Sequence, residues 1–320
     1  MESTNETMTE VLEEELLEAE HDAPAEGPAS MISPRQTLGD RMKAMENVDL
    51  KVIDPKLPWM VRLDGHKFSG FTSKFKRPFD DRVHNCMVAA GKALLLEFQP
   101  TLVFTCSDEI TLIFPSFEST VAKVESGEDN RGMTMFYGGR IMKIATLMSS
   151  LAGIAFDRAM KAQAFDPETE ANLIANVNAK VPFFDARVFN VASEWDIVSN
   201  LIWRSHYDYR RNSISQYARM YYSPKQMHKV NSATLVERMK AEHGFDWDAA
   251  PPRYRFGVIL KRQNYKKTVT YNGREIEANR TRCVELSFQI NKNTPELHEF
   301  VLAKLLPQEY DSQVLVYHED

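Results

Sequence analysis

The chain predicts an α+β fold, and three observations carry that expectation. Apolar runs of strand length occupy residues 59–65 and 102–114, and runs with helical spacing follow Asp80 and Gly139. The two kinds interleave without the regular βα repeat of a doubly wound sheet. With 320 residues and 43% hydrophobic content, the chain can bury a substantial core in one large domain with an extension.

Residues 1–36 read as a poorly ordered leader, with at best one amphipathic turn around Val11, Leu12 and Leu16, ending in a stretch rich in Ala, Pro and Ser. Its first 26 residues hold nine Glu and Asp22 but no Lys or Arg, so the net charge of −6 conceals a body with 39 basic and 35 acidic residues. A mildly basic body suits a nucleic-acid partner shielded by an acidic tail; for the tail itself, a solvated segment without a role is the plainer reading.

From Thr37 to residue 320 the composition is that of a globular domain, with a C-terminal extension from about residue 225. Residues 51–63 are strand-like, and residues 65–79 form a loop carrying Lys67, Lys74, Lys76 and Arg77. Asp80 is an N-cap for a helix whose Val83, Met87, Ala90, Leu94 and Leu95 share a face and which Pro100 ends. Residues 102–114 read as a hairpin with Ser107-Asp108-Glu109 at its polar tip. Gly138-Gly139 opens a long helix with Ile141, Ile144, Leu147, Leu151 and Ile154 on its buried side. A further strand at 183–189 precedes a helix running through Trp203 and Asn212 to about Tyr221. Residues 255–262 and 268–276 follow, with Asn272-Gly273 as a hairpin turn.

No stretch is apolar enough for a membrane span, and no signal-peptide core opens the chain, so the expectation is a non-secreted, cytoplasmic protein with a mitochondrial location left open. Cys86, Cys106 and Cys283 are widely spaced, without a CxxC pair, which argues against a disulfide framework and a zinc site.

Asp64 and Asp108 each end an apolar strand-like run. If those strands are neighbours, the carboxylates meet at one sheet edge and can hold hard divalent cations; the rival reading is a pair of turn residues. Arg140 and Lys143 at a helix start oppose the helix dipole, so either an anion is expected there or the two bases are simply solvated. Asp208, Arg211, Asn212 and Ser215 share one helix face by spacing. Between Arg253 and Arg282 nine basic residues face only Glu275 and Glu277, which fits an edge-strand solubility device and RNA-backbone binding equally well.

The segments Arg62-Leu63-Asp64-Gly65-His66-Lys67-Phe68-Ser69, Arg77-Pro78-Phe79-Asp80 and Ser107-Asp108-Glu109 resemble, in order and spacing, the catalytic segments of the tRNA-histidine guanylyltransferase superfamily. The resemblance runs from about Leu38 to about Arg262. It implies a palm-like, ferredoxin-type antiparallel catalytic sheet and nucleotide addition to the 5′ end of tRNA by two-metal phosphoryl transfer.

Asp64, Asp108 and the Gly65 carbonyl match the family's ligands for two Mg²⁺ ions. Arg62, Asp64 to Ser69, Arg77, Asp80, Ser107 and Asp108 lie by resemblance along the bound ATP or GTP. Arg140 and Lys143 match its basic pair for the triphosphate or 5′ end, and Asp208, Arg211 and Asn212 match the segment that closes over the triphosphate. Glu109 is given a supporting role, because strand alternation turns it away from Asp108 unless the hairpin tip is irregular.

Enzymes dedicated to histidine tRNA carry a His-x-Asn-Asn run where this chain has Tyr209-Arg210-Arg211-Asn212-Ser213-Ile214. His66, Ser69 and Arg77 stand where Arg, His and Lys are usual. These departures match the guanylyltransferase-like, 3′-to-5′ polymerase branch, whose members mostly repair tRNA 5′ ends by template-directed addition, and they bear on base preference. The alternatives are guanosine addition to histidine tRNA, a nucleotide cyclase, and a non-catalytic RNA-binding protein. A homotetramer is expected from the family.

Overall fold

The computed structural model describes residues 37–46, 50–118, 135–271 and 274–310. The acidic leader and the Asn272-Gly273 turn lie outside the described residues. The chain divides into units at 1–49 and 50–320. In the first, helix α1 (Leu38–Glu46) is exposed throughout, and the Thr37 hydroxyl accepts from the Asp40 amide at 3.2 Å.

The second unit is built on a six-stranded sheet of order β4-β1-β3-β2-β5-β6, antiparallel at every pairing. The strands are β1 (Trp59–Gly65), β2 (Leu102–Cys106), β3 (Glu109–Phe114), β4 (Phe184–Asn190), β5 (Val258–Tyr271) and β6 (Arg274–Leu286). β1 starts later than expected, because Pro55 and Pro58 interrupt the run and leave Val52 as an isolated bridge to Arg140.

Strand alternation sends Trp59, Val61 and Leu63 to one face, where they pack with helices α2 (Asp81–Phe98) and α3 (Ile141–Lys161). Met60, Ile113, Leu102 and Phe104 face the other way, against α5 (Glu194–Ile202) and α8 (Pro295–Leu302). A third apolar cluster, around Ile214, Tyr217, Leu235 and Trp247, joins α6 (Arg210–Ala218) and α7 (Ser232–His243).

Asp80 caps α2 as expected, accepting from the Arg82 amide at 2.9 Å. The long helix buries Ile144 and packs Ile141 and Leu151 against the core as expected, but corrects the other two positions of the expected buried face. Its buried residues are Ile144, Met148, Ala152, Gly153, Phe156 and Met160, whereas Leu147 is 37% and Ile154 50% exposed. Gly138 and Gly139 take φ of 63° and 73° before α3, and Arg140 is its N-cap. Helix α4 (Ala171–Ala179) lies between α3 and β4.

Beyond Gln263, β5 and β6 leave the core as a two-stranded ribbon, with registered pairs continuing to Tyr271 and Arg274. Two of the nine basic residues singled out there, Lys261 and Arg262, are buried. The Lys261 ammonium donates to the carbonyls of Phe300, of Val301 at 3.4 Å and of Ala303 at 2.7 Å, at the end of α8.

Candidate active site

On the face that carries α5, three strands run in register from apolar to charged. Met60, Ile113 and Phe189 come first, Arg62, Thr111 and Arg187 next, and Asp64, Glu109 and Asp185 last. Directly opposed like charges destabilise a sheet, so the last two rows are not there for the fold. Asp185 and Arg187 escaped the sequence reading; strand alternation within residues 183–189 was the available signal, but it yields no partner without the register.

The β2–β3 tip is the two residues Ser107 and Asp108, with Ser107 at φ 52°. This irregular tip lets neighbouring carboxylates serve one edge. The Gly65 amide donates to the Asp108 carbonyl at 2.9 Å, joining the tip to the end of β1. Asp108 is raised above its ordinary pKa by burial; the Ser107 hydroxyl, donating to it at 3.0 Å, opposes that shift and the nearby Asp64 charge adds to it.

Glu109 is raised likewise by burial, with Arg204 and Arg62 acting against the shift. Arg204 bridges Glu109 at 3.5 Å and Asp208 at 3.1 Å, and Arg211 closes on Asp208 at 2.8 Å. Arg204, Asp208 and Asn212 follow one another at intervals of four through a π-helical segment, Trp203–Tyr209, continuous with α6. The Arg62 Nε is buried without a hydrogen-bond partner.

Gly65 admits no side chain, since an added Cβ would fall 2.4 Å from the Phe68 ring. Phe68 is itself core, packed with Phe71, Phe156 and Phe184. Lys67 turns the chain at φ 54°, His66 stacks on Phe183 at 4.9 Å, and Ser69 is exposed.

A cavity of about 290 Å³ opens beside the tip. Phe68, Ser69, Arg77, Asp80, His84, Ser107, Asp108 and Tyr254 are among the residues lining it. Burial alone would raise Asp80, but hydrogen bonds from Arg82 and the Lys76 amide outweigh it and hold the carboxyl below its ordinary pKa.

Arg140 and Lys143 are not brought into this cluster. The approach to α3 packs through Phe136 on Phe114, which stacks on Trp59, while Phe156 in its second half meets Phe68 and Phe184 beside Gly65. The basic pair therefore stands at the other end of β1 from Asp64, a separation of about 17 Å at 3.4 Å per residue. There Arg140 donates to the Tyr137 carbonyl at 3.0 Å, and the Lys143 ammonium lies 5.1 Å from the Tyr137 ring centroid.

The donors at Asp64, Asp108 and the Gly65 carbonyl are all hard oxygens around opposed negative charge. That set fits Mg²⁺, which takes one or two carboxylates and completes its shell with phosphates and water. Among the described residues no group of three His, Cys, Asp or Glu forms a ready metal cage.

Residues 39–192 match the sequence profile of the tRNAHis guanylyltransferase family, Thg1. An uncharacterized protein of Acanthamoeba polyphaga mimivirus is 30% identical over 240 residues, covering 72% of this chain and 79% of that protein. A bacterial Thg1-like protein in complex with ATP superposes with a TM-score of 0.65 at 22% identity, over 83% of this chain and 99% of its own. The bacterial complex with GTP gives 0.60 at 22%, over 82% and 98%. The tRNA(His) guanylyltransferase of Saccharomyces cerevisiae gives 0.53 at 20%, over 73% and 94%. At these identities the structures establish a shared fold, while the profile over residues 39–192 extends the likeness to sequence, and the chain belongs to the tRNAHis guanylyltransferase family of nucleotidyltransferases.

Proposed function

We propose that this protein repairs 5′-truncated tRNAs by adding nucleotides in the 3′-to-5′ direction, copying the opposing strand. The observation that carries the reading is the Gly65–Asp108 backbone bond, which joins the tip to the end of β1 and brings Asp64 and Asp108 within electrostatic reach of each other, beside a cavity and the paired Arg62 and Arg187. The 5′-phosphate of the RNA first displaces pyrophosphate from a nucleoside triphosphate, typically ATP. The 3′-hydroxyl of the incoming nucleotide, GTP among them, then attacks the RNA's 5′-phosphorus and releases the activating nucleoside monophosphate.

Asp64, Asp108 and the Gly65 carbonyl would hold two Mg²⁺ ions, whose Lewis acidity, when bound, favours the ionised hydroxyl and the departing phosphate. Arg62, with its unpaired Nε, and Arg187 beside it grip phosphate oxygens. His66, Lys67, Phe68, Ser69, Arg77, Asp80 and Ser107 contain the nucleotide, while Asp208, Arg211 and Asn212 approach from the π-helical side. Glu109 acts through Arg204, fixing the guanidinium that orients Asp208.

Arg140 and Lys143 serve the same chemistry from a second copy in a homotetramer, since one chain holds them at the wrong end of β1. Mixed assemblies of Asp64→Asn and Lys143→Ala chains then regain activity that neither has alone; no regain would restrict the pair to remote RNA phosphates.

A second reading, addition of one guanosine to histidine tRNA, is favoured by the matching family profile. Incubating the protein with 5′-truncated tRNAs of several identities, labelled nucleotides and Mg²⁺, then sequencing the 5′ ends, separates the two. Template-matched additions on several tRNAs are expected, and strict dependence on the histidine anticodon would overturn the repair reading.

A further inference from the structure

The π-helical segment and the start of α6 carry two parallel stripes by spacing. Arg204 and Asp208 are tied to the carboxylate edge through Glu109, with Asn212 four residues on, and one residue earlier in each turn stand Trp203, Tyr207 and Arg211. Trp203 is 54% exposed, Tyr207 56%, and the Arg211 side chain 66%. The two rings stack on each other, with centroids 6.0 Å apart and planes 26° from parallel.

Single exposed apolar residues need no explanation, but two large rings paired side by side on one exposed helix stripe are a different matter. A flat group that joins two rings already paired on one stripe costs less ordering than one that must first bring them together. The Arg211 guanidinium at the end of the stripe, anchored at 2.8 Å by Asp208, adds a positive charge that a nucleotide's phosphate complements.

We infer that Trp203 and Tyr207 form a stacking platform for an unpaired nucleotide of the RNA strand opposite the 5′ end being extended. The inference rests on the tRNA-repair reading above. A 5′-truncated tRNA leaves bases of its complementary strand unpaired beside the reacting centre, and the platform lies one helical stripe from the residues facing that centre. Every base has a π-face, so stacking holds the strand without dictating which nucleotide is copied, as template-directed addition requires.

The test uses the full chain, 5′-truncated tRNA and the same tRNA trimmed of its unpaired 3′ nucleotides. Trp203→Ala and Tyr207→Ala are expected to raise the KM for the untrimmed tRNA about tenfold, in keeping with the loss of one base-stacking contact, while the KM for the nucleoside triphosphate stays put. Trp203→Phe and Tyr207→Phe keep a ring and retain most of the affinity. In a direct binding titration, trimming is expected to raise the Kd of the native protein for the tRNA by the same factor and to leave that of the alanine variants unchanged.

Equal loss on trimming in native and alanine proteins would overturn the platform, as would an unchanged KM for the untrimmed RNA. A changed oligomeric mass with unchanged RNA affinity would overturn it too, and would assign the rings to contacts between copies. Failure of the native protein to extend or bind any tRNA would instead remove the repair reading, and the platform with it.

Discussion

Leu63 and Asp64 are neighbours in one strand and belong to different molecules, chemically speaking. Leu63 points into the core shared with α2 and α3, fully buried and in register with Ile110 and Ala186. Asp64 points the other way, between Glu109 and Asp185. At this end of the strand one face gains stability from its pairs, whereas the other sets acid against acid, a few tenths of a kcal/mol to about 1 each in the wrong direction. A sheet of this kind separates folding from chemistry by a single residue's alternation.

The sharpest way to break that comparison is to exchange the consequences. Asp64→Asn is expected to lower 5′-end addition about a thousandfold or more, with folding intact and urea stability raised by about 1 kcal/mol as repulsion is relieved. Leu63→Ala is expected to do the reverse, costing about 3 kcal/mol in urea denaturation while kcat per folded molecule holds within about twofold. An Asp64→Asn protein that unfolds, or stays active, would end the division of labour drawn between the faces.

A smaller effect separates the cavity wall from the bulk of the core. Burial, and then the Arg253 charge, push the His84 imidazole from 6.5 down to about 4, with Asp81 opposing. An unfolded chain protonates this histidine below about 6.5 and the folded chain does so only near 4, so stability falls as pH drops through that window. The loss reaches about 2 to 3 kcal/mol at its foot. His84→Gln is expected to flatten that part of the urea-midpoint profile; an unchanged slope would mean the imidazole is solvated in the fold.

Much of this was legible from residues alone. The strand ending at Asp64, the hairpin with its polar tip, the Asp80 cap and the long helix after Gly139 all follow from local periodicity and capping chemistry. Register was not legible, and so Asp185 and Arg187 stayed hidden: pairing across β1 and β4 joins residues more than a hundred positions apart. The buried side of α3 was misjudged because small residues, Ala152 and Gly153, line its contact where larger apolar ones were expected. Gly153 suits that close approach, since an added Cβ would stand 3.1 Å from the Pro182 carbonyl oxygen. The two long C-terminal strands were divided too early, because a ribbon outside the core carries no apolar alternation to mark its course.

The foot of that ribbon is where distant parts of the chain are bolted together. Lys261 reaches across 39 to 42 positions to the end of α8, and Leu306 pairs with the neighbouring Gln263. The base of this arm is therefore coupled through an ammonium and three carbonyls to α8, so the position of one is tied to the position of the other.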